Sequence, residues 1–195
     1  MEKAQGFQKL LEKFPPLEEG FATQLEARCD FTLLDKHAAL THHSAKGGRI
    51  YFLIQGSLIR NIVTSKGRLK TVMFHTESFM DFFKDCGFGL AHAEIRSEIV
   101  ANEKSVVLSV DFDFLNNYLK TDLKLLEFYN QKTEKTLNEL DLLRNFQLGL
   151  TSKEYLCYLQ SNYGFLFLRF PAQHIASFMG ITNVWLSKLM SQASF

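Results

Sequence analysis

The sequence predicts an α+β chain: short N-terminal helices, an antiparallel β-roll of jelly-roll type, a long helix and a compact helical C-terminal end. Three observations predict it. Short runs rich in β-branched and aromatic residues alternate with turn signals between Asp30 and Val110. The stretch Thr121 to Phe146 contains neither Gly nor Pro. The last forty-odd residues carry apolar positions at helical spacing around a single well-placed glycine, Gly180.

Taken in order, Phe7, Leu10, Leu11 and Phe14 sit at helical spacing before Pro15-Pro16, and Phe21, Leu25 and Cys29 mark a second helix from about Glu18. The strands follow: Ile50 to Ile54, the turn Gln55-Gly56-Ser57, Leu58 to Val63, the hairpin signal Ser65-Lys66-Gly67, and Leu69 to Phe74. Glycine suits such a hairpin because it tolerates the positive φ of a tight turn. A last pair spans Glu94 to Ala101 and Ser105 to Val110. Strands this short and close argue for a sandwich or barrel and against βαβ units.

In the long helix, Leu126, Tyr129, Thr133, Thr136, Leu140 and Leu143 recur at spacings of three and four. Such a seam buries itself against another helix. It serves either packing on the chain's own β-roll or a parallel homodimer, and the two Thr positions weaken it. Beyond it, Thr151 with Glu154 forms a capping box, Gly164 suits the end of a helix, and Phe165 to Leu168 reads as a short strand. The expected division is 1–120 for the β-roll with its helices, 121–148 for the long helix and 149–195 for the C-terminal unit.

The run Pro171 to Leu189 has the grammar of a helix-turn-helix. Ala176 is small enough for a close crossing, Gly180 permits a left-handed turn, Ile181 plugs the core and Thr182 caps the second helix. Ile175, Met179, Ile181, Leu186 and Leu189 form the inner face. Gln173, Thr182, Asn183, Val184, Trp185, Ser187 and Lys188 are left for the outer surface, where a recognition helix meets the major groove of double-stranded DNA. The same packing also serves αα corners that bind no DNA.

Of the 195 residues, 46% are apolar, enough for a sizeable core. Lys+Arg 22 against Asp+Glu 21 leaves a charge of +1, which excludes a strongly basic nucleic-acid coat. Residues 151–195 hold Lys153, Arg169 and Lys188 against Glu154, a local charge of +2. No apolar run is long enough for a membrane span, and the N-terminus lacks the pattern of a signal peptide. Cys29, Cys86 and Cys157 are far apart, so a reduced, cytoplasmic chain with no metal or cofactor is expected. No Ser/His/Asp set, carboxylate pair or phosphate-cradling loop marks an enzyme.

With these parts in place the chain resembles the Crp/Fnr family of bacterial transcription regulators, relatives of the cyclic-AMP receptor protein. The resemblance runs through nearly the whole length. It is most specific at Tyr51-Phe52-Leu53-Ile54-Gln55-Gly56-Ser57, similar to the family's "YYI.KG" strand and turn. The second specific part is Gln173 through Leu189, similar to its "Q.IA..LGIT...LSR" element. The compact, short-loop form looks most like the variants common in Bacteroidetes. The resemblance implies a cyclic-nucleotide-binding-like β-roll, a dimerisation helix, a helix-turn-helix within a reduced winged helix, and a homodimer. It also implies DNA as partner, with RNA polymerase a further one.

The resemblance breaks at the ligand cassette. The family holds a cyclic nucleotide with a Gly-Glu start and an Arg-Ser or Arg-Thr end, where the Glu takes the ribose and the Arg the phosphate. Here Phe79 matches, but Asp81-Phe82 stands in place of Gly-Glu, and Arg96-Ser97 falls one residue out of register. Asn138 to Asp141 lacks the Thr-Ser pair that reads adenine. Phe79, Asp81, Phe82, Arg96 and Ser97 are the candidate pocket, and cyclic AMP is not the expected ligand. Phe74, Phe79, Phe82, Phe83 and Phe88 line an apolar pocket or are simply core. The cysteines lack the spacing for an iron–sulfur cluster. His37, His42, His43, His75, His92 and His174 are haem candidates by residue type only, and most are expected at the surface. In the recognition helix, Asn183-Val184 and Lys188 stand where the best-known member has an Arg-Glu pair and a later Arg. A different DNA sequence preference is expected. The chain also stops soon after that helix, leaving little for a wing.

Overall fold

A computed structural model describes residues 1–17, 19–40, 48–84 and 97–192. Two helices, α1 (Lys3–Leu11) and α2 (Glu19–Arg28), precede the strands. The strands are β1 (Asp30–Leu34), β2 (Arg49–Gln55), β3 (Ser57–Val63), β4 (Leu69–Thr76), β5 (Phe82–Lys84), β6 (Ser97–Ala101) and β7 (Ser105–Asp111). Six helices follow: α3 (Phe112–Leu119), α4 (Leu123–Gly149), α5 (Ser152–Tyr163), α6 (Phe165–Arg169), α7 (Ala172–Met179) and α8 (Asn183–Gln192). The strands form two antiparallel sheets, ordered β1-β7-β2-β5 and β4-β3-β6, which is the expected α+β β-roll.

The run Ile50 to Ile54 is apolar throughout because β2 is covered on both faces. Ile50, Phe52 and Ile54 point to α1, α2, α3 and the start of α4, with Phe7, Leu10, Phe21, Leu25 and Leu115. Tyr51 and Leu53 point inward between the sheets, where they meet Leu58, Phe83, Ile99 and Val107. The outer face of the second sheet packs on the C-terminal helices through Ile59 and Phe74. The protein thus has three stacked apolar layers, and along β2 the residues alternate between two of them by parity.

A bulge sits where β3 meets β4. Arg60 pairs with Met73 but Asn61 pairs with Thr71. The extra residue turns Thr71 to the same outer face as Phe74, so both meet α7. The hairpin between these strands closes at Gly67, whose φ is 72° and whose N–H donates to the Thr64 carbonyl at 2.8 Å.

Two local expectations are corrected. Phe165 to Leu168 is not a strand but most of α6, and among the described residues no strand pairs with its backbone. Four apolar residues carry no period that separates the two states. Gly164 is not left-handed; its φ of −52° lets α5 run nearly straight into α6. The capping box at the start of α5 is present, with the Glu154 N–H on Thr151 Oγ1 and the Thr151 N–H on Glu154. Cys29 is buried, which pushes its thiol up to about 12. Among the described residues no helix is long and apolar enough to cross a membrane.

Gly56 joins β2 to β3 at a φ of 97°, and a Cβ there would meet the Lys104 carbonyl oxygen at 2.7 Å. Gly67 has a φ of 72° with open space around it. Gly56→Ala should therefore lower stability by more than the ~1–3 kcal/mol of backbone strain alone. Gly67→Ala should cost only about 1–2 kcal/mol. Urea unfolding of both variants checks the order.

Candidate nucleic-acid interface

The helix-turn-helix is built by its own sequence. At the end of α7, Gly180 adopts a φ of 76°. Its N–H donates to the Ser177 carbonyl and the Ile181 N–H reaches back to the Ala176 carbonyl, at 3.1 and 2.9 Å. This is a Schellman turn, and only Gly takes its left-handed position without cost. A Cβ at Gly180 would meet nothing closer than 3.7 Å, so conformation and not space demands the glycine. Thr182 Oγ1 accepts the Trp185 N–H at 3.2 Å and starts α8.

Ile175, Ala176, Met179, Leu186 and Leu189 are buried, and Ile181 is half-buried. Gln173, Thr182, Asn183, Val184, Trp185, Ser187 and Lys188 are all exposed, Val184 at 81%. Thr182 lies at the turn, Asn183, Val184, Trp185, Ser187 and Lys188 follow along α8, and Gln173 stands in the first turn of α7. The Lys188 ammonium lies 5.3 Å from the centre of the Trp185 ring, so the two form a cation–π pair.

The inner side of α7 docks on β4, which the sequence does not announce. The Thr71 N–H donates to Ser177 Oγ at 2.9 Å, and Thr71 Oγ1 lies 3.0 Å from both His174 Nδ1 and Asn61 Oδ1. Phe74 packs on Phe170 and Phe178, with ring centres 4.5 and 5.3 Å apart. Just before α7, Arg169 grips Glu77 with two bonds of 2.6 and 2.9 Å and Glu103 with one of 2.8 Å. Burial pushes the Glu77 carboxyl up, but Arg169 and the Gly56 N–H outweigh it and hold it below the usual range.

The helical seam lies elsewhere than the dimer reading places it. Leu126 and Tyr129 pack against the layer of α1, α2 and the first sheet, and Leu143 is 4% exposed among the C-terminal helices. Thr133 and Thr136 are half-buried, the latter donating to the Lys132 carbonyl. Of the six, only Leu140 is exposed. The seam serves the chain's own packing because the β-roll and the C-terminal helices flank α4 on that side. One residue further on, Leu123, Glu127, Asn130, Glu134, Leu137, Asp141, Arg144 and Leu148 are all exposed.

The ligand candidates separate. Phe79, Asp81 and Phe82 line a recess of 200 Å³ against Lys132, Lys135 and Glu139 of α4. That is smaller than the roughly 300 Å³ of ordinary small-molecule sites. Asp81 already accepts from Lys13 at 2.5 Å and from Lys132 at 3.4 Å. Phe79 packs on Tyr163 and Phe165, and Phe82 on Phe52 and Tyr129. Ser97 stands apart, opposite Ile62 in the second sheet. Phe74, Phe82 and Phe83 are core. Arg96, Cys86, Phe88, His42, His43 and His92 lie outside the described residues. Among the described residues no cluster of His, Cys, Asp and Glu could hold a metal ion.

His75 is not at the surface as expected but 2% exposed in the second sheet, packed on the Phe83 ring. A carbonyl can only accept, so Nδ1–H donates to the Met80 carbonyl at 2.7 Å. Nε2 is buried without a hydrogen bond. Burial, then the charge of Arg60, lowers its pKa to about 3.

No family model matches the sequence. A stretch of 117 residues is 26% identical to the acetyl-CoA decarbonylase/synthase complex subunit epsilon of Methanocaldococcus jannaschii, covering 57% of this chain and 80% of that one. At that identity it carries no family assignment. Solved structures match far more of the chain. A cyclic nucleotide-binding domain containing protein from Listeria monocytogenes superposes with a TM-score of 0.66 over 98% of this chain and 90% of its own, at 15% identity. A protein of Eubacterium rectale assigned to the Crp/Fnr family gives 0.65 over 93% and 87%, at 12%. The c-di-GMP responsive global regulator CLP of Xanthomonas campestris gives 0.61 over 90% and 91%, at 12%. The chain therefore has the fold of the Crp/Fnr regulators.

The buried His75 sets a pH dependence. Unfolded, its imidazole takes a proton near its ordinary value of 6.5, while folded it stays neutral to about 3. The unfolded state then binds more protons between these values, so stability falls as pH falls through that window, by up to about 1.4 kcal/mol per unit. His174, lowered by burial, acts in the same direction, and Glu77 adds to the loss at lower pH. Urea midpoints should fall steadily from pH 6.5 to 5. Ring carbon shifts of His75 should not titrate above pH 5; a midpoint near 6.5 would place the ring in water.

Proposed function

We propose that this chain is a DNA-binding transcription regulator of the Crp/Fnr type that acts as a homodimer in the cytoplasm. Its effector is unknown or absent and is not cyclic AMP. The observation that carries the reading is the outer face of the helix-turn-helix. Seven polar or projecting residues are exposed over an inner face buried at Ile175, Ala176, Met179, Leu186 and Leu189, on a fold that regulators of this type share. Asn183 reads a base edge, because one amide offers a donor and an acceptor to adenine. Val184 touches a thymine methyl, Ser187 meets phosphate, and Lys188 meets guanine or phosphate. Thr182 is engaged as the cap of α8.

The reading against cyclic AMP rests on Asp81, held by two lysines where the ribose partner would stand. The dimer forms through the outward face of α4, where Leu137, Leu140 and Leu148 are exposed. RNA polymerase is a further partner of such a regulator, and no catalysis is assigned. The compact form fits the short-loop variants of the family.

Selection from a pool of random duplexes should return a pseudo-palindrome with half-sites about 34 Å apart. On that site Asn183→Ala should cost about 1–3 kcal/mol and relax one base position. Lys188→Ala should lower the salt slope by about one if its contact is to phosphate. Unchanged affinity in both variants would leave Val184 and Trp185 as a protein-binding surface instead. Leu137→Asp should shift sedimentation from dimer to monomer without loss of the fold, since the side chain is 59% exposed.

A further inference from the structure

The joint between the β-roll and the helix-turn-helix is more than a linker. Arg169 is the last residue of α6, two positions before the N-cap of α7. Its guanidinium lies between Glu77, after β4, and Glu103, in the turn before β7. Both carboxylates are fixed from the β-roll side. The Gly56 N–H donates to Glu77 Oε1 at 2.7 Å, and Ser57 Oγ donates to Glu103 Oε1 at 2.7 Å. The Arg169 carbonyl also accepts from Asn102 Nδ2 at 3.0 Å. Beside this clamp, Ser177 covers the Thr71 N–H on the outer edge of β4.

The clamp changes the electrostatics of the outer face. Residues 151–195 carry a charge of +2, from Lys153, Arg169 and Lys188 against Glu154. Docked, two β-roll carboxylates sit on Arg169 and cancel that charge. Phosphate attraction supplies most nonspecific affinity, so the docked unit meets DNA with its field switched off.

We infer that the contact of Arg169 with Glu77 and Glu103 is an autoinhibitory latch: docking on β4 is the low-affinity state, and release of the latch raises DNA affinity. The inference rests on the DNA-binding reading above. In it Arg169 is a positioning residue that holds α7 on the β-roll. Released, it is a free cation two residues before the N-cap of α7.

The test is the full-length protein with Glu77→Gln and Glu103→Gln together. Glutamine keeps the hydrogen bonds from Gly56 and Ser57 and removes the charge. Amide exchange at Thr71, protected by Ser177, should speed up about tenfold. Affinity for a random duplex should rise roughly fivefold to tenfold at low salt, with a salt slope steeper by about one. Glu2→Gln with Glu12→Gln, which changes the net charge equally on exposed positions of the N-terminal segment, should change affinity less than twofold. Ser177→Ala, which changes no charge, should also raise affinity. Unchanged Thr71 exchange, or faster exchange with equal or weaker duplex binding, overturns the latch. If exchange speeds up and neither the wild type nor any variant retains a duplex, the DNA reading itself fails. The contact then holds the helices without regulating DNA binding.

Discussion

The bidentate grip of Arg169 on Glu77 is the constraint on which the arrangement depends. Glu77 belongs to a short turn between β4 and β5 that the protein ties down from every side. The Thr76 N–H donates to the Phe79 carbonyl at 2.8 Å and the Phe79 N–H to Thr76 Oγ1 at 3.1 Å, closing the turn on itself. Lys13 reaches in to the carbonyls of Leu53 and Glu77 and to Asp81. Lys132 approaches Asp81 from α4. Six consecutive residues thus connect α1, the β-roll, α4 and the C-terminal helices. A charged, bidentate pair suits this place because its planar geometry fixes direction as well as distance.

This placement explains why the near-neutral composition is a poor guide to the surface. Arg49 is spent on Asp30 and Ser109, Lys13 and Lys132 on Asp81, and Arg169 on two glutamates. Several basic side chains that a charge count credits to binding therefore hold elements together. Lys188 is left to the exposed face of α8. In the DNA-binding reading proposed above, an interface so poor in cations would read bases through shape and amide contacts more than it gathers phosphate.

The parts legible in the sequence are those decided locally. Gly180 needs its left-handed φ whatever surrounds it, and Thr151 with Glu154 or Ser65 to Gly67 speak for themselves within a few residues. The buried run of β2 was equally readable. The seam of α4 was not, because this helix carries apolar residues on adjoining faces, and registers one residue apart differ only in what covers them. Leu143 and Leu137 look alike in sequence; one is 4% exposed and the other 59%. Docking of α7 on β4 was beyond reach for another reason. Ser177 and Thr71 are 106 residues apart, and neither type advertises a partner. His75 misled for a related reason: the end of β4 is covered on both faces, so Met73, Phe74, His75 and Thr76 are all buried whatever their parity.

The same turn also gives the β-roll interior a mechanical connection to the C-terminal helices. His75, neutral and buried, donates to the carbonyl of Met80. Met80 has a φ of 53°, a left-handed conformation that costs a side-chain-bearing residue about 1–2 kcal/mol. Such strain persists only where neighbours over-determine it, and here they do: His75 holds Met80 on one side while the Leu53 N–H and Lys13 hold Asp81 on the other. Phe79, next in the turn, rests against Tyr163 and Phe165. A contiguous chain of packed and bonded groups therefore runs from inside the β-roll to the base of the helix-turn-helix. A physical warrant for coupling needs such a chain to end on an element with two arrangements. At that base the paired glutamates on Arg169 lie beside the apolar contact of Phe74 with Phe170 and Phe178, so an ionic clamp and a packed layer together hold α7 on β4.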